Sequence, residues 1–221
     1  MKIDILTLFP KMFQGPFNES IIKRAQEKGL VEIKIHNLRK WTKDKHKTAD
    51  DRPFGGGTGM ILMIEPIYDA LKELKKKETR VILLTPQGKI FNQKMAQNLS
   101  KEKHLIFICG HYEGIDERVR EHLVDEEISI GDYVLTGGEL PSMIVLDTLI
   151  RLIPGVLKKK EAIKDESFSS KSLEYPQYTR PANFKGWQVP EALLSGDHKK
   201  IADWRKKKAI ERTKKRRPDL L

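Results

Sequence analysis

The chain has 221 residues, of which 38% are hydrophobic and 33% are charged, with 15 glycines and 11 prolines. These proportions are typical of a folded globular protein and argue against the disordered and fibrous classes. Basic side chains number 42 and acidic side chains 31, so the formal net charge of +11 indicates an anionic partner. The single cysteine, Cys109, excludes an internal disulfide framework and an all-cysteine metal site.

The first part of the chain is predicted to alternate strands and helices. Residues 2–8 and 31–36 alternate apolar with polar side chains, a pattern that favours strands. Between them, Asn18 is a candidate N-cap for a helix over residues 19–28. Gly29 is the candidate residue that ends this helix.

A long polar and glycine-rich stretch over residues 37–63 precedes the second run of elements. Glu65 and Pro66 open a helix with one apolar face. Further short apolar runs predict strands, and the segments between them predict helices. These strands cover residues 81–84, 105–109 and 127–130, and these helices cover residues 93–99, 116–123 and 141–153. Short strands that alternate with helices indicate an α/β fold with a mostly parallel sheet covered on both faces.

The C-terminal part of the chain differs in composition from the rest. We predict a domain over residues 1–160, a linker rich in Lys, Ser and Glu over residues 161–175, and a small helical domain over residues 176–221. The last 24 residues carry 11 basic and three acidic side chains, or +8 of the net charge, whereas the remaining body carries +3. Such a basic helix suggests nucleic acid as a partner, and a solvated surface is the alternative.

Neither a signal peptide nor a membrane span is expected. Asp4 interrupts the short apolar run at the start of the chain. The most apolar stretch, residues 140–157, is interrupted by Asp147, Arg151 and Pro154. Together with the single cysteine, these features predict a cytoplasmic protein.

Three glycine-bearing loops follow predicted strands, at residues 85–88, 110–114 and 131–141. None contains the G-x-G-x-x-G fingerprint of dinucleotide-binding proteins or the G-x-x-x-x-G-K-[ST] phosphate loop. Parallel sheets bind ligands at the carboxyl ends of their strands, and glycine lets the backbone approach a ligand closely. Each loop alone is consistent with an ordinary turn. Together, the three loops favour a pocket for a flat ligand.

Several long motifs resemble those of one protein family and occur in that family's order. They stand at residues 51–57 (DRPFGGG), 110–118 (GHYEGIDER), 130–139 (IGDYVLTGGE), 178–181 (YTRP) and 194–198 (LSGDH). From its first residue to the basic helix, the chain resembles the TrmD family of bacterial tRNA (guanine-N1)-methyltransferases. The resemblance implies a SPOUT-class fold with a trefoil knot in the C-terminal part of the sheet domain. It also implies a homodimer with shared active sites and a helical domain that binds tRNA.

The resemblance further implies that S-adenosyl-L-methionine is the methyl donor and that the glycine loops hold it, largely through backbone groups. The residues expected to bind the donor are Thr85, Pro86, Gly110, Tyr112, Glu113, Gly114, Ile130, Gly131, Asp132, Tyr133, Val134, Leu135, Gly137, Gly138 and Pro141. The acids of this set, Glu113 and Asp132, have turn capping as their alternative role. Mg²⁺ dependence is implied as well, but no carboxylate cluster with a recognisable ligand spacing identifies a site for it.

Methylation of N1 of guanine needs a base for the N1 proton and a cation or donor near O6, where negative charge develops. By resemblance, the acid immediately before Ser167 is the base. That position is Glu166, where the family most often has Asp, and the neighbouring Asp165 is the alternative. Arg151 matches an arginine of the family and is the candidate for O6. Its alternative role is an ordinary helix ion pair with Asp147.

Two regions are expected to contact tRNA. By resemblance, the polar loop before residue 63 lies near a guanine that has left its stack, and the C-terminal helix binds phosphates. The residues assigned to RNA binding are His46, Arg52, Gly55, Gly56, Gly57, Lys206, Lys207, Arg216 and Arg217. An unstructured connector and a solvated helix face are the respective alternatives.

The leading hypothesis is methyl transfer to N1 of guanosine at tRNA position 37, next to the anticodon. A related RNA methyltransferase of the same fold that acts on another base is one alternative, and a non-catalytic RNA-binding module is another. The glycine loops argue against the module, because a protein that only binds RNA has no use for a donor pocket. Cys109, His36 and His104 are expected to have ordinary structural roles.

Overall fold

The computed structural model describes residues 1–158, 163, 166–169 and 171–221. The chain divides into two compact units, Met1–Lys158 and Lys159–Leu221. The first unit is an α/β structure, and the described part of the second contains a short hairpin and helices. Within the described residues, no helix has both the length and the apolar character that a bilayer span requires.

The first unit is built on one sheet of five parallel strands. Its elements follow one another as β1 (Lys2–Thr7), α1 (Gln14–Phe17), α2 (Ser20–Glu27), β2 (Glu32–Asn37), β3 (Asp50–Asp51), β4 (Ile61–Leu62), α3 (Ile64–Leu74), β5 (Thr79–Ile90), α4 (Gln93–Leu99), β6 (His104–Cys109), α5 (Glu117–His122), β7 (Glu126–Ser129) and α6 (Glu139–Ile150). The large sheet has the order β2-β1-β6-β5-β7, and all its neighbouring strands are parallel. The predicted α/β class with a mostly parallel sheet is confirmed. The trefoil knot stays a prediction.

Side chains alternate along the strands and fill an apolar core on each face of the sheet. Ile82 and Leu84 of β5 pack in a cluster with residues of α2, α4 and α6. Val81 and Leu83 of the same strand pack in a second cluster with residues of α3 and α5. Because successive strand side chains point to opposite faces, both faces of this sheet need a cover of helices.

The start of α2 differs from the prediction. Asn18 does not cap α2, because it ends the short helix α1, where its N–H bonds to the carbonyl of Gly15. The N-cap of α2 is Glu19, whose side chain makes no capping bond, and Ser20 follows with a φ of +53°. The predicted end is confirmed, since Gly29 follows the helix with a φ of +67°.

The end of α6 is earlier than predicted. The apolar pattern predicts a helix over residues 141–153, but the α-helix ends at Ile150. Beyond it, the N–H groups of Leu152 and Ile153 bond to carbonyls only three residues back, at 3.1 Å each. These tighter turns end the α-helix while the apolar side chains continue.

A buried charged cluster lies on the sheet. Asp4 of β1 is fully buried, and its carboxylate accepts hydrogen bonds from His36 Nε2 at 2.6 Å, His104 Nε2 at 2.7 Å and Lys2 Nζ at 2.8 Å. Burial by itself would raise the pKa of Asp4, but the bonds from His36, Lys2 and His104 outweigh it and hold the pKa well below its usual range. The two histidines therefore have a specific electrostatic role that their positions in the sequence did not indicate.

The second unit contains a small hairpin and a long basic helix. Its elements are β8 (Asn183–Phe184), β9 (Trp187–Gln188), α7 (Glu191–Leu194) and α8 (His198–Arg216). Asp197 caps α8, because its carboxylate accepts bonds from the main-chain N–H groups of Lys199 at 2.9 Å and Lys200 at 3.1 Å. The predicted basic helix is confirmed as α8, whereas the hairpin was not predicted. Thr213 is the only buried residue among those described in this unit.

Candidate functional site

The carboxyl ends of three neighbouring strands meet at one edge of the sheet. Because β6, β5 and β7 lie side by side, the segments that follow or interrupt them converge. These segments enclose a cavity of about 360 Å³. The lining consists of residues 83–87, 110–115, 128–131 and 133–138, with Arg120 and Pro141.

The first wall is an irregular part of β5 and not the separate loop that the sequence predicted. Leu84 and Lys89 both pair with Ile128 of β7, so residues 85–88 leave the ladder between these two positions. Gly88 is required here, because a Cβ at this residue would lie 2.5 Å from the backbone nitrogen of Ile128. Residues 85–88 thus form a bulge in β5, and the pairing of β5 with β7 on both sides of this bulge holds the wall to the sheet.

The other two walls are bonded to each other. Gly138 N donates to the carbonyl of Gly110 at 2.8 Å, and His111 forms a β-bridge with Gly137. A Cβ on Gly138 would lie 2.7 Å from Cα of Cys109, so the two loops touch backbone to backbone. Cys109 is fully buried, and this burial raises the pKa of its thiol. The two loops thus form one continuous surface.

The cavity brings together all but one of the residues that the sequence assigned to a donor. The exception is Asp132, whose side chain is exposed and does not line the cavity. The N–H of Tyr133 bonds to the carbonyl of Gly131 at 3.0 Å, so a tight turn closes around Asp132 and leaves it at the tip. That the other residues bind a methyl donor stays a prediction.

Two lining residues with ionisable side chains, His111 and Arg120, were missed by sequence reasoning. His111 stands inside one of the recognised motifs and could have been included on that signal. Arg120 of α5 has no such signal, because two of its partners, Glu127 and Thr85, come from other elements. Its guanidinium lies 2.5 Å from Glu127 and 3.3 Å from Glu117, and it donates to Thr85 Oγ1 at 3.2 Å. The positive charge of Arg120 is therefore compensated.

A buried carboxylate lies beside the wall that contains His111. Glu139 is 1% exposed, and its Oε1 accepts a bond from the hydroxyl of Thr7 at 2.6 Å. Its Oε2 lies 3.9 Å from Nδ1 of His111, an atom that is buried without a hydrogen-bond partner in the described chain. Gly137 keeps this gap open, because a Cβ there would lie 2.4 Å from Oε2. The carboxylate of Glu139 is therefore buried directly behind this wall, although Glu139 does not itself line the cavity.

The long polar stretch is tied to the cavity wall. Its strands β3 and β4 pair with each other in antiparallel fashion. Leu62 N donates to the carbonyl of Gly114 and Glu113 N donates to the carbonyl of Met60, both at 3.0 Å. A Cβ on Gly59 would lie 2.4 Å from Cγ of Glu113. This stretch therefore ends directly against the cavity.

The residues of this stretch that were assigned to RNA do not line the cavity. His46 and Arg52 are exposed. Gly55, Gly56 and Gly57 are exposed as well, with φ angles of +86°, +82° and +123° that favour glycine. Their contact with RNA stays a prediction.

The candidate catalytic residues belong to different units. Arg151 directly follows α6 in the first unit, is half-buried and does not line the cavity. Glu166 begins a turn in the second unit, and its carbonyl accepts bonds from Ser169 N at 3.1 Å and Ser169 Oγ at 2.6 Å. Asp165 lies outside the described residues. Across the part of the chain that the structure describes, no group of three or more His, Cys, Asp or Glu side chains is placed to hold a metal ion.

A parallel α/β sheet with a glycine-lined cavity at the carboxyl ends of three neighbouring strands is the arrangement in which open α/β proteins bind compact ligands. Comparison of the sequence with known proteins identifies one family within this class. The family model described as tRNA (Guanine-1)-methyltransferase TrmD matches residues 1–221. The chain belongs to this family.

Three relatives are each named tRNA (guanine-N(1)-)-methyltransferase. The protein from Dictyoglomus turgidum is 57% identical over 221 residues, which cover all of this chain and 90% of the relative. The protein from Carboxydothermus hydrogenoformans is 59% identical over 221 residues, all of this chain and 87% of the relative. The protein from Anoxybacillus flavithermus is 58% identical over 224 residues, all of this chain and 91% of the relative.

Proposed function

We propose that this protein acts in the cytoplasm and transfers a methyl group from S-adenosyl-L-methionine to N1 of guanosine at tRNA position 37, next to the anticodon. The observation that carries the proposal is the cavity, in which motifs shared with the TrmD family form one site of about 360 Å³. The names of the three relatives support the reaction, since each is called a tRNA (guanine-N(1)-)-methyltransferase.

The cavity residues fit a sulfonium donor that carries an adenine ring. Ile115, Val134 and Leu135 line the cavity and offer apolar surface to a flat ring. The carboxylate of Glu113 is available for the amino group or the ribose of the donor, and buried Glu139 favours its positive charge. When bound, the donor would supply an electrophilic methyl group.

Two side chains are proposed to act on the guanine. Glu166 accepts the proton of N1, with Asp165 as the alternative base, so that N1 can use its electron pair to attack the methyl group. Arg151 stabilises the negative charge that builds on O6. The support for these roles is the match of each position to the family's motifs. Because no metal-binding cluster is present among the described residues, we assign no ligand to Mg²⁺ and no step to it.

We further propose that different parts of the chain bind the donor and the tRNA, and that the protein is a homodimer with shared active sites. Residues 1–160 hold the donor, residues 161–175 connect the two domains, and residues 176–221 bind tRNA.

The surface of α6 supports the dimer. Leu140 and Ile144, one turn apart, are 48% and 47% exposed on a helix that is otherwise mostly apolar. Exposed apolar side chains in such an arrangement are typical of an interface. Sedimentation of the purified protein would measure the oligomeric state.

The assay of this proposal uses labelled S-adenosyl-L-methionine and unmodified tRNA transcripts that carry or lack guanine at position 37. We expect label in the first transcript and not in the second. Equal labelling of both transcripts would favour a related methyltransferase acting on another base. Binding of tRNA without any labelling would favour the non-catalytic module.

Substitution of Gly138 by Ala is expected to weaken donor binding by about tenfold or more, because the new methyl group would push apart the two loops that form the cavity. The methyl would meet Cα of Cys109 at 2.7 Å and N of Gly110 at 2.9 Å, and neither backbone atom can rotate away. Isothermal titration with S-adenosyl-L-methionine measures the effect. Gly15→Ala is the matched control, since a Cβ at Gly15 meets nothing within 4 Å. Equal donor affinities of the two variants would show that the contact between the loops is not needed.

Removal of charge from α8 and from Arg217, which directly follows it, is expected to weaken tRNA binding and to flatten the dependence of this binding on salt. The four side chains to be neutralised together are Lys206, Lys207, Arg216 and Arg217. Each phosphate contact contributes about 0.7–0.9 to the slope of log affinity against log salt. Arg217 should contribute least, because its guanidinium already binds Asp219 at 2.7 Å.

Filter binding at several salt concentrations measures this slope, and isothermal titration measures donor affinity. Lys94→Gln with Lys101→Gln removes exposed charge from the first unit and serves as the control. Unchanged salt dependence in the α8 variant would identify its basic side chains as a solvated surface.

A further inference from the structure

The second unit contains a cavity that the proposed reaction does not use. Its volume is about 660 Å³, within the range of about 300–1,000 Å³ that is usual for small-molecule sites. It lies between the chain segment at residues 175–182 and the helices α7 and α8. The motifs at residues 178–181 and 194–198 both contribute to its lining. Neither motif has a role in the chemistry proposed above.

Two aromatic rings and two guanidinium groups contribute to the lining of this cavity. The guanidinium of Arg205 lies over the ring of Tyr175, with 4.8 Å between its carbon and the ring centroid. The ring of Tyr178 lies 6.3 Å from that of Trp204 and is 51% exposed. Arg180 adds a second guanidinium to the lining. The cavity thus combines an available aromatic ring with two cations.

The rest of the lining is mainly apolar. Val189, Leu193 and Ile201 are only partly buried, and Leu194 is 59% exposed. These side chains come from α7, α8 and the residue that follows the hairpin. They offer an apolar floor of the kind on which a flat ring packs.

The wall that carries Tyr175 and Tyr178 is fixed by hydrogen bonds at both of its ends. Before the wall, Leu173 N donates to the hydroxyl of buried Thr213 at 2.9 Å, and the guanidinium of Arg212 donates to the carbonyl of Glu174 at 3.2 Å. After it, Val189 N donates to the carbonyl of Ala182 at 2.8 Å. The cavity is therefore a built feature of this unit.

Charge indicates which ligand the cavity accepts. None of the described residues that line it is acidic, and two are arginines. The same helix carries Lys206 and Lys207, which are exposed and make no ion pair with any described residue. An anionic ligand with a flat ring fits this combination, and a nucleotide has both properties.

We propose that this cavity binds one unpaired nucleotide of the substrate tRNA, with its base stacked on Tyr178 and its phosphate beside the guanidinium of Arg205. The nucleotide is a different one from the guanosine that is methylated. The inference rests on the proposed function, because that function makes tRNA the macromolecule that reaches α8. Stacking on an aromatic ring tolerates any base, so the cavity holds the RNA in place and does not select its sequence.

The first experiment compares tRNA affinity in three variants of the full chain. Tyr178→Ala is expected to raise the Kd for tRNA and the KM for tRNA by about tenfold, and to leave kcat and donor affinity unchanged. Tyr178→Phe keeps the ring and is expected to bind tRNA within about twofold of the wild type. Trp187→Ala is the matched control, since Trp187 is 75% exposed in the same unit and does not line the cavity. Equal Kd values for Tyr178→Ala and Trp187→Ala would overturn the proposal.

The second experiment locates the nucleotide. Single 2-aminopurine substitutions are placed in turn at each unpaired position of the transcript, and the fluorescence of each is measured with the wild type and with Tyr178→Ala. We expect one position whose fluorescence is quenched by the wild type and not by the variant. If no position behaves in this way, the proposal is wrong. If Tyr178→Ala changes the sedimentation of the protein but not the fluorescence at any position, the proposal is also wrong, and the cavity is assigned to a protein interface.

The two proposals fail in different ways. If the wild type does not methylate tRNA, the proposed function is wrong whatever the cavity binds. If the wild type methylates tRNA and Tyr178→Ala does so with the same KM, the proposed function stands and the nucleotide site does not exist.

Discussion

Replacement of Glu166 by Gln is expected to slow methyl transfer to tRNA by about 10²- to 10⁴-fold, because an amide of the same size cannot take the N1 proton. Donor affinity and tRNA affinity should stay within about twofold of the wild type. The turn that Glu166 begins should survive, because its hydrogen bonds to Ser169 use the main-chain carbonyl of Glu166. Single-turnover rates with labelled donor and saturating enzyme measure the loss without interference from product release.

Two further variants separate the candidate bases. Glu166→Asp keeps a carboxylate on a side chain one methylene shorter and should retain much of the activity. Asp165→Asn should have little effect if Glu166 is the base. Full activity of Glu166→Gln together with loss of activity in Asp165→Asn would transfer the role to Asp165. Full activity of both variants would remove the carboxylate base from the proposed mechanism.

Replacement of Asp4 by Asn is expected to lower the free energy of unfolding at pH 7 by about 3–5 kcal/mol. Three donors, from His36, His104 and Lys2, meet at the two carboxylate oxygens of a fully buried side chain. In the variant, the amide NH₂ would face one of these donors, and the charge of Lys2 would lose its partner. Urea unfolding followed by circular dichroism measures the change.

The effect of Asp4 should depend on pH in a defined direction. The pKa of Asp4 in the folded protein lies below its value of about 3.9 in the unfolded chain. Its stabilising contribution is therefore complete above about pH 4 and is lost as the pH falls through the lower, folded-state pKa. The difference in unfolding free energy between the wild type and Asp4→Asn should accordingly shrink as the pH is lowered from 5 towards 2.

Glu32 on the neighbouring strand β2 offers the control for Asp4. Its carboxylate pairs with Lys34 at 2.7 Å, but both side chains are more than half exposed. Because water and salt screen such a pair, Glu32→Gln should barely move the urea midpoint. Equal stability of Asp4→Asn and Glu32→Gln at pH 7 would show that the buried cluster contributes no more than a surface ion pair.

The parts of the fold that sequence reasoning predicted are those that short patterns encode. Alternating side chains identified β1 and β2, because every second residue of a strand faces the same layer. The glycine-bearing segments were expected at one edge, because parallel strands place their carboxyl ends together. The bulge at residues 85–88 was taken for a loop, since nothing local shows that Lys89 returns to the same partner, Ile128.

The parts of the site that sequence reasoning missed depend on residues far apart in the chain. Arg120 lines the cavity and bonds to Thr85, which lies 35 residues away. Asp4 and His104 are separated by 100 residues, and only the pairing of β1 with β6 brings them into contact. Asp132 was included with its neighbours because a motif does not show which side chain a tight turn directs to solvent.

The sequence by itself determined the α/β class, the family, the basic C-terminal helix and the glycines that a close approach of two backbones requires. Only the tertiary structure decided which side chains share a cavity, which acid is buried among cations, and that two motifs of the second unit meet around an aromatic cavity. The physical reason is the strand order β2-β1-β6-β5-β7, together with the folding of residues 175–182 against α8. Both arise from contacts between distant segments, whereas composition and periodicity report only on neighbours in the chain.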